Sequence, residues 1–136
     1  MKNEEVAKAI VESIKNVDKS LYIISPKESL ISYISKGSVE MKYEVFADRN
    51  YNENLSLVSR TEKNALLTDP KKVFDHVFRM VDEKKVKTIK GEELAVFFDT
   101  ICVHGDNPKS VQILKLSLIH TPSPRDKRQS RMPSSA

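Results

Sequence analysis

The alternation of short apolar runs with helix-forming segments limits the folds open to this chain more than any other feature. Apolar, β-prone runs occupy residues 21–24, 39–47 and about 97–103. Along the chain the predicted order is helix, strand, helix, strand, loop, helix, turn, strand and helix. Strands that alternate with helices favour βαβ units, in which neighbouring strands run parallel. The sequence therefore predicts an α/β fold with mostly parallel strands.

Apolar residues at three- and four-residue steps predict helices over 3–16, about 27–35, about 70–83 and from Pro108 onward. The third of these helices has the clearest start, because Asp69 can cap its amino terminus and Pro70 suits its first turn. Residues 87–94 predict a small hairpin around Gly91. The polar segment 48–68 predicts a long loop, and long loops in compact domains are often functional.

Two polar clusters follow predicted strands at the points where those strands end. Asp48 and Arg49 follow the second strand, and His104 and Asp106 follow the third. The carboxyl ends of parallel strands meet at one edge of a sheet, and reactive groups gather there. The sequence therefore predicts that both clusters lie at the same edge of the sheet.

The charge distribution argues against a nucleic-acid partner. The formal net charge is +4, but the basic excess lies in the segment 117–136, which contains Arg125, Lys127, Arg128 and Arg131. Residues 1–116 are nearly neutral, with charges of both signs mixed and no basic stripe interleaved with aromatic residues. A phosphate backbone requires such a stripe, so we expect no nucleic-acid partner.

Membrane and export signals are also missing from the sequence pattern. No apolar run approaches the ~20 residues that a membrane helix needs, and the charged amino terminus has no signal-peptide pattern. The single cysteine cannot form an internal disulfide. These features predict a protein of the reducing cytoplasm that makes no membrane contact.

Composition divides the chain into two parts. Residues 1–116 carry the periodic pattern of one modest domain. The segment 117–136 holds three of the six prolines and no periodic apolar pattern after Ile119. It predicts a disordered, non-native tail.

Three sequence blocks carry a resemblance to a known family: EVFADRNYNENLSLVSR at 44–60, the dipeptide at 69–70, and DTICVHGDNP at 99–108. Together they resemble the LamB/YcsF family of 5-oxoprolinase A subunits, over nearly all of 1–115. The resemblance implies a deformed (β/α) barrel related to the glycoside hydrolase/deacetylase barrels. It also implies ATP-dependent opening of 5-oxoproline to L-glutamate, performed together with separate B and C subunits.

The chain departs from the family pattern at two turns and in its extent. Asn54-Leu55 stands where the family usually has Asp-Gly, and Asn64 stands where a glycine is usual. The family's first-strand motif with Asp and Asn, and its Lys-Pro-His-Gly motif, are absent, so the chain resembles the C-terminal portion of the family's barrel. A half barrel would have two open sheet edges and an uncovered apolar face. We therefore expect the isolated chain to be poorly stable and inactive.

Four residues at or near the end of the second strand are candidates for chemistry. Asp48 could orient an amide or a water molecule, and Arg49 could bind a substrate carboxylate through its guanidinium. The alternative is a salt bridge that fixes the loop. Glu44 could be a buried acid with a raised pKa suited to proton transfer, or an exposed position on the strand. Arg60 is a second candidate for binding an anion.

His104 and Asp106 are the candidates after the third strand. On an extended segment, residues two positions apart face the same side. An imidazole and a carboxylate placed so could act as an acid–base pair or as metal ligands. The alternative is a turn in which Asp106 or Asn107 caps the helix that starts at Pro108. The metal content is left open.

Three further polar residues favour structural roles. Asp99 opens the third strand at the end far from His104. Cys102 lies in an apolar run and is interpreted as a small buried hydrophobe. His76 lies at the edge of a helix stripe and is interpreted as a helix-surface residue. With three glycines in all, the chain has no glycine-rich phosphate loop.

Three functional hypotheses follow from these residues. The first is a cyclic-amide hydrolase, with His104, Asp48, Glu44 and Asp106 as catalytic candidates and ATP acting in the full complex. The second is a metal-dependent deacetylase or carbohydrate-active hydrolase on a related barrel. The third is a non-catalytic module that binds a partner subunit.

Overall fold

The computed structural model describes residues 3–120, with side chains described as far as Lys115. The α-helices in this range are α1 (Glu4–Val17), α2 (Leu30–Ser35), α3 (Pro70–Phe78) and α4 (Ser110–His120). A π-helical turn, Arg79–Glu83, continues α3. The strands are β1 (Tyr22–Ser25), β2 (Glu40–Phe46), β3 (Lys85–Lys87), β4 (Glu93–Ala95) and β5 (Thr100–Cys102).

The main sheet has three parallel strands in the order β1-β2-β5. Tyr22 lies beside Glu40 in the first pair, and Glu44 lies beside Thr100 in the second. Strands β3 and β4 form a separate antiparallel hairpin, whose turn holds Gly91 at a φ of 94°. The predicted α/β class, parallel pairing and hairpin are therefore confirmed. The described sheet does not close on itself, since β1 and β5 form its two edges.

Helix α1 covers one face of the first strand pair. Its amino terminus is capped by Asn3, whose side-chain oxygen accepts hydrogen bonds from the backbone N–H groups of Glu5 and Val6. This cap satisfies donors that the helix itself cannot bond. The buried residues of this layer form one apolar cluster: Ala7, Val11, Ile23 and Ile31. The opposite face of β1 remains open, because Tyr22 and Ile24 are each 51% exposed.

Helix α3 begins where its sequence predicts. Asp69 Oδ1 accepts a hydrogen bond of 3.0 Å from the backbone N–H of Lys71, and Pro70 occupies the first turn. Its apolar face packs with α4 against the end of β2, in a cluster of Ala47, Val73, Val77 and Ile113. The helix then widens into the π-helical turn and ends at Lys84, which takes the left-handed conformation at a φ of 55°.

Strand β5 is shorter than the predicted run of 97–103. Ahead of it, Asp99 bonds twice to the backbone of β2: its N–H donates to the Tyr43 carbonyl at 2.8 Å, and its Oδ2 accepts from the Tyr43 N–H at 2.7 Å. The Asp99 carboxylate thus takes the place of a backbone acceptor between β5 and β2, so the regular strand pairing stops at this residue. The interpretation of Asp99 as structural agrees with this contact.

Helix α4 crosses the domain boundary predicted at residue 116, because its backbone is helical as far as His120. The boundary rested on composition, and the first proline of the segment is Pro122. Residues before that proline keep their N–H donors and can continue a helix. The predicted disorder of the remaining tail concerns 121–136, which lies outside the described residues. Within the described range, no helix combines the length and apolar character required to cross a bilayer.

We expect Asp69→Ala to lower the free energy of unfolding by about 1 kcal/mol, because the first turn of α3 loses its side-chain acceptor. Urea unfolding followed by far-ultraviolet circular dichroism measures this change. Asp75→Ala is the matched control, since it removes the same charge from an exposed position within the helix. The control should change the free energy of unfolding by less than about 0.5 kcal/mol. Equal losses in both variants would contradict the capping role.

Candidate active site

Asp48 and His104 meet at the carboxyl edge of the main sheet. Asp48 follows β2 and His104 follows β5, and His104 Nδ1 lies 2.8 Å from Asp48 Oδ1. The backbone N–H of His104 also donates to Asp48 Oδ2 at 3.4 Å. These contacts bring the two sequence-predicted polar clusters together at one edge of the sheet.

The Asp48 carboxylate is fully buried and is hydrogen-bonded by three groups, which are the His104 imidazole, the His104 backbone N–H and the Asn107 side-chain amide. Besides His104, the side-chain amide of Asn107 donates to Asp48 Oδ2 at 3.1 Å, and the same amide donates to the Leu67 carbonyl at 3.1 Å. The Leu67 N–H in turn donates to the Asp48 carbonyl at 2.9 Å. A buried carboxylate is tolerated only when such donors replace water. Asp48 is thus a fixed acceptor and not a mobile surface group.

This arrangement sets the orientation of the imidazole. An anionic carboxylate is an acceptor only, so Nδ1 carries the hydrogen of the bond to Asp48. The Nε2 atom is then left to exchange protons with another molecule. The ring of Phe46 stacks on the His104 ring at 5.3 Å between centroids, with an angle of 10° between planes. Phe46 and Asp48 therefore fix both the plane and the tautomer of His104.

Tyr51 closes the site behind Phe46. Its hydroxyl oxygen accepts a hydrogen bond of 2.8 Å from the backbone N–H of Phe46. Burial raises the pKa of Tyr51 to about 12, so the phenol stays protonated at neutral pH. Phe46 and Tyr51 also line a cavity of about 220 Å³, together with Pro26, Leu55 and Leu57. The cavity lies beside the ends of β1 and β2, and neither Asp48 nor His104 lines it.

Glu44 lies two residues before Phe46 on β2 and is partly buried. Burial raises the pKa of its carboxyl, and the nearby His104 acts in the opposite direction. The environment matches the interpretation of Glu44 as an acid with a raised pKa, and does not match that of a fully exposed strand position. Burial raises the pKa of the Cys102 thiol, and the nearby Glu44 carboxyl raises it further. A thiol with a raised pKa is a poor nucleophile, in agreement with an apolar role.

Arg49 is buried beside the pair. Its Nη2 donates to the Val58 carbonyl at 2.6 Å, and its Nε has no hydrogen-bond partner among the described residues. Burial lowers the pKa of Arg49, and the neighbouring Arg60 lowers it further. An Arg residue stays charged in proteins, so Arg49 is a buried cation next to the Asp48 carboxylate.

Asp106 pairs with Arg60 and not with His104. Arg60 Nη1 lies 2.7 Å from Asp106 Oδ2 in an exposed ion pair, and this hydrogen bond lowers the pKa of Asp106. The prediction of an extended segment from His104 to Asp106 is wrong, because residues 105–106 form a turn closed by the Asn107 N–H and the His104 carbonyl at 3.2 Å. The two side chains share no hydrogen bond, although His104 also acts to lower the pKa of Asp106. Within the described residues, no group of three or more His, Cys, Asp or Glu side chains could hold a metal ion.

Asn107 has the capping role that the sequence left open between two residues. Its Oδ1 accepts a hydrogen bond of 3.1 Å from the Lys109 N–H, just before α4. Its amide nitrogen reaches Asp48, as described above. The sequence did not predict the contact of Asn107 with Asp48, because turn chemistry concerns only neighbouring backbone groups. It also did not predict the site contacts of Phe46 and Tyr51, which form only in the folded chain.

The interpretation of His76 as a helix-surface residue is wrong. The side chain is 8% exposed, and its ring lies 6.0 Å from that of Tyr51. Burial lowers the pKa of His76 to about 4. Helical periodicity places this residue at the edge of the apolar stripe, but the loop after β2 folds over that edge and covers it.

The loop 48–68 has left-handed backbone at the two positions where the family resemblance leads us to expect glycine. Leu55 has a φ of 61° and Asn64 a φ of 66°, both in the left-handed region. Asn adopts this region at low cost, whereas Leu does so under strain. Single bridges fold the loop over the site, joining Arg49 to Leu66 and Tyr51 to Leu57.

Comparisons with known proteins agree on one family. The family described as "LamB/YcsF family" matches residues 1–121. A 5-oxoprolinase A subunit from Pyrococcus abyssi is 39% identical over 114 residues, which are 83% of this chain and 45% of the relative. A Bacillus cereus protein of the same name is 41% identical over 112 residues, which are 81% of this chain and 44% of the relative.

One solved structure resembles the fold. The lactam utilization protein of Thermus thermophilus matches with a TM-score of 0.77 and 26% sequence identity. The match covers 86% of this chain and 48% of that protein. The chain therefore spans about half the length of the relatives that it matches.

Acid should destabilise the fold through His76. Its pKa is about 4 in the folded chain, against 6.5 for an ordinary histidine. Between these values the unfolded chain binds more protons, so the stabilisation is complete above about pH 6.5 and is lost as the pH falls toward about 4. The total decrease in the free energy of unfolding is roughly 3 kcal/mol.

Urea unfolding of the wild-type chain and of His76→Gln across this pH range measures the effect. The variant keeps a polar side chain that cannot titrate, so its free energy of unfolding should fall less steeply between these pH values. Identical pH slopes in the two proteins would contradict the assignment.

Proposed function

The chain belongs to the LamB/YcsF family, and from this premise we propose that it forms part of a 5-oxoprolinase A subunit. In this proposal the complete enzyme opens 5-oxo-L-proline to L-glutamate at the expense of ATP, together with separate B and C subunits. The relatives named as 5-oxoprolinase A subunits, at about 39% identity, support the assignment. The observation that carries it is the buried Asp48–His104 pair at the carboxyl edge of the sheet.

The pair can move the protons that opening of a cyclic amide requires. Attack of water on the carbonyl carbon releases a proton, which His104 Nε2 can accept. When the ring C–N bond breaks, the same proton can pass to the leaving nitrogen. Asp48 holds the ring in orientation and stabilises the imidazolium form between the two transfers. Positioned acid–base groups of this kind contribute about 10²- to 10⁴-fold to rate.

ATP supplies the free energy to activate a carbonyl that amide resonance otherwise stabilises. The chain contains three glycines and no glycine-rich phosphate loop, so we assign no step of ATP chemistry to its residues. In the proposal ATP acts in the full complex.

Arg49 and Arg60 would bind the substrate carboxylate. Arg49 is buried and bonds one backbone carbonyl through Nη2, which fixes the guanidinium. Arg60 is engaged by Asp106 in an exposed pair, which water screens and which a second carboxylate can open. Asp106 then acts by holding Arg60 in place, and Glu44, with its raised pKa, remains an acid–base candidate.

The alternative of a metal-dependent deacetylase or carbohydrate-active hydrolase is not favoured. It would use His104 and Asp106 as ligands together with carboxylates that this chain does not contain, whereas here His104 Nδ1 bonds Asp48 and Asp106 pairs with Arg60. In the non-catalytic alternative the Asp48–His104 pair only ties β2 to β5, and turnover would survive substitution of either residue.

We further propose that the described sheet is part of a (β/α) barrel and corresponds to the C-terminal portion of the family's longer proteins. The open edges at β1 and β5, the exposed residues Tyr22 and Ile24, and the 45% coverage of the Pyrococcus abyssi relative support this reading. The remaining strands would then complete the barrel and the site.

Activity should require the complementary half of the barrel. The test mixes this chain with the B and C subunits and with the part of the Bacillus cereus relative that the match leaves out. We expect ATP-dependent formation of glutamate from 5-oxoproline in the complete mixture, and none when the complementary part is omitted. Turnover by this chain with only the B and C subunits would contradict the half-barrel reading.

Within the active mixture, Asp48→Asn and His104→Gln should each lower kcat by at least about 100-fold, because the proton-transfer group loses its orientation or its chemistry. Asp82→Asn is the control, since it removes a carboxylate from an exposed position outside the site. Circular dichroism shows whether each variant retains the fold. Full activity of both site variants would overturn the assignment of the pair.

A further inference from the structure

A second cavity lies apart from the Asp48–His104 pair, between α3 and the end of β3. Its volume is about 390 Å³. Its charged walls are Lys72, Asp75, Arg79 and Lys87, and His76 and Thr88 add neutral polar groups. Nothing in the proposed opening of 5-oxoproline uses these residues.

Positive charge dominates the cavity. Three cationic side chains face a single carboxylate, that of Asp75. Arg79 forms an ion pair with Glu93, and this pair occupies one of the five N–H groups of the Arg79 guanidinium. Lys72 and Lys87 form no ion pair with any described residue. Two ammonium groups beside the one carboxylate of Asp75 leave this concave surface with a net positive charge, which attracts an anion.

His76 adds a buried polar atom that lacks a partner. The residue is 8% exposed, and its Nε2 makes no hydrogen bond to the described protein. Nε2 lies beneath the cavity surface, so an anion in the cavity meets the Thr88 hydroxyl instead. The hydroxyl oxygen of Thr88 accepts from the Glu92 N–H at 3.1 Å, and its own O–H is left to donate.

We propose that this cavity binds a phosphate-type oxyanion, either free phosphate or the phosphoryl group of a nucleotide. Lys72 and Lys87 supply the charge, and the Thr88 hydroxyl donates to an anion oxygen. Phosphate carries several acceptor oxygens on one centre, so it can contact both ammonium groups and the hydroxyl at once.

Calorimetric titration of the 136-residue chain with sodium phosphate at pH 7 tests the proposal. We expect saturable one-to-one binding at concentrations up to about 10 mM. Lys72→Gln and Lys87→Gln should each weaken binding by about fivefold or more, because each removes one charge contact. Lys71→Gln is the matched control, since it removes an exposed lysine of the same helix that does not line the cavity, and it should bind phosphate as the wild type does.

A further titration identifies the ligand. ADP should displace phosphate with higher affinity if a nucleotide is the ligand, and with no gain if free phosphate is. The ¹³C chemical shift of the His76 ring should move with phosphate occupancy, which locates the binding independently of the lysine variants. Absence of saturable binding, or equal affinity in both lysine variants and the wild type, would overturn the proposal. Neither result depends on turnover of 5-oxoproline, so the two proposals fail separately.

Discussion

The buried carboxylate of Asp48 is the interaction on which the rest of the structure depends. It joins the end of β2 to the end of β5 through His104, and to the start of α4 through Asn107. The backbone of the same residue bonds Leu67, which ties the long loop to the sheet. Removal of any one donor would leave a charge in an apolar surrounding, which is costly. The fold and the candidate site are therefore stabilised by the same set of contacts.

The loop after β2 has more order than its polar composition indicates. Tyr51 bonds the Phe46 backbone from within the loop, and Arg49 bonds the Val58 carbonyl across it. These contacts bury two large polar side chains close to the imidazole. The loop thus covers one side of the site, while the residues that follow the strands supply its reactive groups. Electrostatic effects between charged groups are stronger in such a partly water-excluded setting than in water.

The two faces of the sheet differ in how completely they are covered. Helices α1 and α2 cover Ile23, and α3 and α4 cover Ala47. On the other face Tyr22 and Ile24 are exposed. The solved lactam utilization protein, of which the chain matches 48%, has the same local fold at a TM-score of 0.77. Over the matched region the two proteins therefore share the arrangement of sheet and helices.

The sequence by itself determined the order of the elements, their parallel pairing and the edge at which the polar groups meet. Each of these follows from local periodicity, from caps such as Asp69, and from the fixed handedness of βαβ connections. Only the tertiary structure decided which side chains pair. Asp48 and His104 are 56 residues apart, and Asp106 pairs with Arg60 across 46 residues. The burial of His76 was likewise settled by a loop distant in sequence. Local patterns indicate which face of a helix or strand is buried. The pairing of side chains that are distant in sequence depends on contacts that form only when the whole chain is folded.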